Sequence, residues 1–521
     1  MKAILKLLCL LPLAASCTKF FTSIGENVDY SGTVEIQHGM IVLGDQLDDP
    51  YTVENMTRAF DSLYGTKVDR LPIETTDYYV RFLPASQDDY EMLEGMGLQM
   101  LDHPMDYEIL VEGDYYQDPS VGEERITWQY TVVGKDFDFP KDIRYEILDE
   151  CFLPDDAATK ADGVDWEAVE REAFRITGNA DMLEPRTKAA AAYPEGRITI
   201  VDSELNNVEN GVKGVKVSCN QFVKFAHAFT DDEGCYRMTR SFSASPRYRL
   251  MFKNKKGFGI GMNLILVPAS FSTLGEAPSS GASIRIDAGS DRKLFARAVV
   301  NNAGYDYYSS CESEGFSIKT PPSNLRIWLF RGLSSSSAPM LQQGALIDNS
   351  ILQQYLGAYT SLVKMFLPDI TLGLKGTESY ADIYALATHE FAHASHFMQV
   401  GKEYWDAYIK FILKSFVTSG FVTYGVGTEE DHGLCEVSEM WAYYIETKTY
   451  QERYGSGTVF GTSYWFYPQI FLKLDEMGIG KYKIFNALTS DITDKEKLHK
   501  KMVSLFPESK SIINQTFGRY N

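Results

Sequence analysis

Leu386-Ala-Thr-His-Glu-Phe-Ala-His-Ala-Ser-His-Phe397 is the stretch on which our interpretation of the chain depends. Within it, His389 and His393 are four residues apart, so on a helix both imidazoles can reach one ion. Glu390 would then lie beside the open position of that ion, where a hydrolase needs a base to take a proton from water. The stretch therefore predicts a Zn²⁺ site on a helix, with Glu390 as the general base.

The helix that carries this motif is predicted to span Thr377 to Val400. Ser379 and Asp382 match a capping box near its start, and Gly401 is a typical stop signal after it. The motif falls in the middle of the helix, where ligands are held rigidly. The alternative interpretation is a buried helix with two hydrogen-bonded histidines and no metal.

A catalytic zinc site needs a third protein ligand. His396 is excluded because its Cα lies about 10.5 Å along the helix from that of His389. Further on, residues 435–446 are predicted to form a helix that carries several carboxylates. Either Glu439 or Glu436, which lies one turn earlier on nearly the same face, could supply the third ligand.

The segment Glu439-Met-Trp-Ala-Tyr-Tyr-Ile-Glu446 resembles the segment Glu-Gly-Phe-Ala-x-Tyr-x-Glu of gluzincin metallopeptidases, in their aminopeptidase and leukotriene-hydrolase group. The resemblance implies that His389, His393 and Glu439 hold zinc. It also implies that Glu390 is the general base of peptide-bond hydrolysis. The expected fold of residues 291–521 is therefore a mainly helical, gluzincin-like metallopeptidase domain.

In the aminopeptidase group, a tyrosine donates a hydrogen bond to the oxyanion that forms during hydrolysis. The resemblance gives Tyr464, in Gly461-Thr-Ser-Tyr-Trp-Phe-Tyr467, a similar place. The alternative is that Tyr464 only packs in an aromatic core. His432 is a second candidate for the same hydrogen bond.

Residues 196–288 alternate as β-strands do and contain turn residues at regular intervals. They resemble the carboxypeptidase regulatory-like (transthyretin-like) β-sandwich, and the motifs that carry this resemblance are Gly196-Arg-Ile, Gly214-Val-Lys-Val, Thr230-Asp-Asp-Glu-Gly-Cys-Tyr236 and Gly257-Phe258. The resemblance implies an accessory or surface-binding module without catalytic residues of its own.

The first residues have the features of a targeting segment. Residues 1–16 combine two lysines, a short apolar stretch and small residues, which indicates a signal peptide. Ala14-Ala-Ser-Cys17 resembles a bacterial lipobox, which implies cleavage before Cys17 and lipidation of its thiol. The alternative is an ordinary secretory signal that is cut nearby. We expect a location in the bacterial cell envelope, with the membrane contacted only through the lipid.

Composition and charge limit the remaining possibilities. The formal charge of −21 argues against nucleic acid as a partner, since a polyphosphate needs a basic surface. Residues 17–190 mix helical and strand periodicity, so we predict a multidomain α+β protein and expect this first domain to be a spacer.

Together, these features predict a lipid-anchored zinc peptidase that acts on peptides or proteins. The alternative is a surface binding lipoprotein with a structural or inactive zinc site. Glu390 argues against that alternative, because a structural site does not require this carboxylate.

Overall fold

Helices and open sheets both contribute to this protein. The computed structural model describes residues 40–65, 73–113, 115–122, 125–154, 164–185, 193–261, 271–313, 318–332, 335–345, 368–418 and 424–520. The predicted mixed α+β class is confirmed. Cys17 and the predicted signal peptide lie outside the described residues.

The N-terminal part combines a three-stranded antiparallel sheet with helices. Its elements are β1 (Val42–Gln46), α1 (Val53–Tyr64), β2 (Asp77–Leu83), α2 (Gln87–Gly95), β3 (Tyr107–Val111), β4 (Gln129–Gly134), β5 (Arg144–Cys151), α3 (Trp166–Ile176) and a short 3₁₀ helix (Ala180–Met182). Strand β2 lies between β4 and β5, and β1 pairs with β3. Buried aromatic and aliphatic side chains of β2, among them Val80 and Phe82, anchor the core of this part.

Two four-stranded sheets follow. Their region contains β6 (Glu195–Asp202), a 3₁₀ helix (Ser203–Leu205), β7 (Val208–Gly211), β8 (Lys216–Gln221), β9 (Lys224–Phe229), β10 (Cys235–Arg237), β11 (Arg247–Met251), β12 (Gly259–Gly261), β13 (Phe271–Glu276) and β14 (Ile284–Ile286). One sheet has the order β10-β6-β14, with β7 also paired to β6, and the other has the order β13-β11-β8-β9. Ile198, Val217 and Leu250 from both sheets share one hydrophobic core.

The C-terminal part is mainly helical. It comprises α4 (Arg292–Glu312), β15 (Arg326–Phe330), β16 (Ile370–Gly373), α5 (Tyr380–Val400), α6 (Lys402–Thr418), α7 (His432–Tyr454), α8 (Gln469–Glu476), α9 (Lys481–Ala487), α10 (Lys495–Leu505), a 3₁₀ helix (Pro507–Ser509) and α11 (Lys510–Phe517). Strand β12 pairs in parallel with β15, which pairs in parallel with β16. None of the helices in the described ranges is long and apolar enough to cross a membrane.

Helix α5 carries the histidine motif. Each of its ends lies within three residues of the predicted end. The Ser379 hydroxyl accepts a hydrogen bond from the backbone N–H of Asp382, so the helix begins at Tyr380 and not at Thr377. It ends at Gly401, whose φ of 83° is one that glycine adopts without strain.

Helix α5 packs between α4 and α7. Gly304 of α4 permits a close approach, because a Cβ at this position would lie 2.8 Å from the Phe391 ring. On the other side, the indole N–H of Trp441 in α7 donates a hydrogen bond to the backbone carbonyl of Ala392 at 3.1 Å. The middle of α5 is therefore held against both neighbours.

The N-terminal part, which the sequence predicts to be a spacer, packs tightly on the rest of the chain. Trp328 of β15 lies in the same hydrophobic core as Val80 and Phe82. Lys224 of β9 forms a buried ion pair with Glu170 of α3, with 2.9 Å between Nζ and Oε1. Both kinds of contact bury groups that a flexible spacer would leave in water.

We expect Lys224→Ala to lower the free energy of unfolding by about 3–5 kcal/mol, since it leaves the Glu170 carboxylate buried without its cation. The measurement is a urea or guanidinium unfolding curve. Lys500→Ala is the matched control, because Lys500 and its partner Glu496 are 71% and 78% exposed. The control should leave the unfolding curve close to that of the wild type, and equal losses in both variants would contradict this account.

Candidate metal centre

Three residues of the histidine motif and one of the two third-ligand candidates meet between α5 and α7. His389, Glu390 and His393 of α5 are 5%, 2% and 3% exposed, and Glu439 of α7 is 1% exposed. The two imidazole rings lie one helical turn apart, with 4.8 Å between their centroids. Four ionisable side chains, which are normally exposed to water, thus lie together in the protein interior, and such a cluster is typical of a functional site.

The Glu439 carboxylate lies between the two imidazoles. One of its oxygens is 3.5 Å from His389 Nε2, and the other is 3.5 Å from His393 Nε2. The ligand atoms of the three residues all lie within 4.8 Å of one another. One ion can therefore contact all three side chains.

Two further side chains orient these ligands. The Glu446 carboxylate lies 2.9 Å from His389 Nδ1, so Nε2 of this ring is turned toward Glu439. The Tyr408 hydroxyl of α6 donates a hydrogen bond of 2.6 Å to Glu439 Oε1. Such outer contacts fix ring tautomer and ligand direction in metal sites.

Unpaired atoms show that this set of residues fits a metal ion. The buried atoms Glu439 Oε2 and Glu390 Oε2 have no hydrogen-bond partner among the residues that the structure describes. Buried polar atoms are rarely left unpaired, because their desolvation is costly. Two histidines and one glutamate are a ligand set of catalytic zinc sites, in which the fourth position binds water.

The electrostatics of the two glutamates differ. The pKa of Glu390 is raised to about 8, mainly by burial and also by the neighbouring carboxylates Glu439 and Glu446, against the lowering effect of His389. Burial also acts to raise the pKa of Glu439, but His393 and His389 together lower it below its ordinary value. Glu439 is therefore the carboxylate that stays anionic, and Glu390 is the carboxyl group that can hold a proton.

Glu436, the other candidate for the third ligand, pairs with a lysine of α10. Glu436 is buried, but its Oε1 lies 3.3 Å from Lys495 Nζ, so its charge is already paired. His396 is fully buried between the rings of Tyr404 and Trp405, at centroid distances of 5.5 and 5.8 Å. Its position one turn beyond His393 agrees with the geometric argument that excludes it as a ligand.

Tyr464 and His432, the two residues that the sequence offers as donors to the oxyanion, lie in different surroundings. Tyr464 packs on Tyr443, with 5.7 Å between the ring centroids, and Tyr443 in turn packs on His389. His432 is the first residue of α7 and lies about 10 Å along that helix from Glu439. Its ring contacts the backbone carbonyl of Glu429 at 2.7 Å.

The sequence did not predict the contacts that Glu446 and Tyr443 make with His389, or the contact that Tyr408 makes with Glu439. A signal was present for Glu446, which follows Glu439 by two helical turns and so lies on the same face of α7. Tyr443 follows Glu439 by one turn and also lies near that face. The sequence contains no comparable signal for Tyr408, because its contact with Glu439 depends on how α6 packs on α7.

A scan against protein-family models, a search of curated proteins and a search of solved structures found no match to this chain.

We expect Glu439→Ala to remove most zinc affinity, because it deletes a direct ligand. Glu446→Ala should weaken zinc binding by only about 10- to 100-fold, since Glu446 acts through His389. Glu436→Ala is the matched control on the same helix and should keep one zinc per chain. The measurement is zinc content after dialysis against chelators of graded strength. Full zinc in Glu439→Ala together with loss in Glu436→Ala would reverse the assignment.

Proposed function

We propose that this chain is a zinc-dependent peptidase in which His389, His393 and Glu439 hold the metal. The observation that carries the proposal is the placement of Glu390, whose unpaired carboxyl oxygen is buried beside the three ligands. A zinc ion in this position would polarise the scissile carbonyl and lower the pKa of a water molecule. A structural site would have no use for Glu390.

Glu390 then serves as the proton carrier of the reaction. Its carboxylate accepts a proton from the attacking water, whose oxygen forms a bond to the carbonyl carbon. When the carbon–nitrogen bond breaks, the same carboxyl group passes this proton to the leaving amine.

The proposed domain organisation follows the sequence resemblances. We assign residues 17–190 to an N-terminal α+β domain, 196–288 to a transthyretin-like sandwich and 291–521 to a gluzincin-like peptidase domain. The two sheets with a shared core support the second assignment. Helices α5 and α7, which bring the ligands together, support the third.

We expect Glu390→Gln to keep one zinc per chain and to lower kcat by about 10²- to 10⁴-fold, the usual contribution of a general base. Turnover of a mixed peptide library, followed by mass spectrometry, measures this effect. Glu430→Gln is the matched control, because the Glu430 side chain is 81% exposed. Undiminished turnover by zinc-loaded Glu390→Gln would contradict the mechanism. No hydrolysis by the zinc-loaded wild type would favour a binding protein.

The proposed location is the bacterial cell envelope, with a lipid on Cys17 as the anchor. We expect Cys17→Ala to move the protein from the membrane fraction to the soluble fraction, since it removes the acceptor thiol. Cys9→Ala is the matched control, because this cysteine lies inside the proposed signal peptide and should not affect anchoring. Unchanged membrane association of Cys17→Ala would contradict the lipid anchor.

A further inference from the structure

A cavity with a volume of about 170 Å³ lies between helices α4, α5, α7 and α9. The residues that line it do not include the three proposed metal ligands. A protein cavity of about 150 Å³ is large enough for a molecule such as benzene. The space between the four helices therefore has room for one small organic molecule.

Uncharged side chains form the inner wall of this cavity. Ala303 of α4, Thr388 of α5 and Ile445 of α7 line it and are almost completely buried. The buried rings of Tyr307 and Tyr384 line the same wall. Because most of this surface is apolar, it suits an aliphatic group that leaves water on binding.

Charged side chains lie at the mouth of the cavity, where they are partly exposed. Two of them are acidic and two are basic, namely Asp306, Glu452, Lys448 and Lys481. Their formal charges sum to zero. A ligand that carries one positive and one negative group can pair with both kinds of side chain, whereas a ligand of one sign also meets side chains of its own sign.

The charged groups of the mouth keep hydrogen-bonding capacity for a ligand. Asp306 Oδ1 accepts a hydrogen bond of 2.6 Å from Lys213 Nζ, and Asp306 Oδ2 accepts one of 2.9 Å from the Tyr384 hydroxyl. A carboxylate has about four acceptor positions, so about two remain. Lys448 Nζ lies 2.9 Å from Asp475 and 3.9 Å from Glu452. The second distance is long, and Glu452 is 56% exposed, so this carboxylate can take a second cation.

We propose that this cavity binds a free amino acid with an aliphatic side chain. The side chain packs on the buried inner wall. The ammonium group pairs with Asp306 and Glu452 at the mouth, and the carboxylate group pairs with Lys448 and Lys481. The inference does not depend on the peptidase function, although a free amino acid is one of the products that a peptidase can release.

A molecule in this cavity touches both helices of the candidate metal centre. Thr388 of α5 directly precedes His389, and Ile445 of α7 directly precedes Glu446. The Glu446 carboxylate and His389 Nδ1 are 2.9 Å apart. A ligand that binds only the folded chain stabilises it, so the temperature of unfolding should rise with the concentration of the amino acid.

Calorimetry of the full chain with L-leucine tests the site. We expect one leucine per chain, with a Kd on the order of 0.1–1 mM for a ligand of this size. N-acetyl-L-leucine lacks the positive charge, and L-leucine amide lacks the negative charge. Each should bind about 10- to 100-fold more weakly than leucine, because one charged group at the mouth then loses its partner.

Two variants locate the binding site. Lys481→Ala should weaken leucine binding by about 10-fold, since it removes one partner of the carboxylate. Lys483→Ala is the matched control on α9, because Lys483 is exposed and does not line the cavity. Thr449→Phe places a ring at the half-buried edge of the cavity and should abolish binding while the unfolding curve stays cooperative.

The same titration after dialysis against a chelator separates this cavity from the metal centre. Leucine should bind equally well to the zinc-loaded and the zinc-free chain. Loss of binding together with the zinc would place leucine at the metal centre and overturn the inference. No binding of leucine, equal affinity for leucine and its amide, or equal losses in Lys481→Ala and Lys483→Ala would also overturn it. Leucine binding by a chain that hydrolyses no peptide would support the inference and contradict only the proposed peptidase function.

Discussion

The contact between helices α5 and α7 is the interaction on which the rest of the structure depends. Along this contact the carboxylates of Glu439 and Glu446 meet the two imidazoles of α5, and each of these four side chains is at most 7% exposed. Buried charges destabilise a protein unless they are paired and hydrogen-bonded. The helices must therefore stay in register, because a shift of a single turn would leave these groups without partners.

Side chains that are distant in the sequence keep α5 and α7 in this register. Near the C-terminal end of α7, Arg453 forms an ion pair of 2.9 Å with the fully buried Asp202 of β6. The same guanidinium lies over the rings of Tyr380 and Tyr384, in the first turns of α5. One side chain thus ties a sheet of the middle region to both helices of the candidate metal centre. The middle region supports this site even though none of the three proposed ligands belongs to it.

The sequence predicts those features that arise from local spacing. Two histidines four apart, a serine before the helix and a glycine after it are enough to place α5 and its pair of proposed ligands. Glu439 is predicted by the resemblance of residues 439–446 to the gluzincin segment, while the helical pattern alone leaves Glu436 as an alternative. Each of these predictions uses residues within one helix, where geometry is nearly independent of the rest of the fold.

Features that depend on how elements cross could not be predicted in this way. Strand β12 comes from the predicted sandwich region yet pairs with β15 of the C-terminal part. Trp328 of β15 completes the core of the N-terminal part. Tyr408 reaches Glu439 only because α6 returns past α7. The periodicity of apolar residues shows which face of a helix or strand is buried. It does not show which other element packs against that face.

The most direct test of the central claim is X-ray absorption at the zinc edge of the purified, metal-loaded chain. Our account predicts one zinc per chain, bound by two imidazole nitrogens at about 2.0–2.1 Å and by oxygen from one carboxylate and one water. The signal of the imidazoles should disappear in a variant that lacks both His389 and His393. A spectrum with sulfur ligands, or a protein that binds no stoichiometric zinc, would contradict the account.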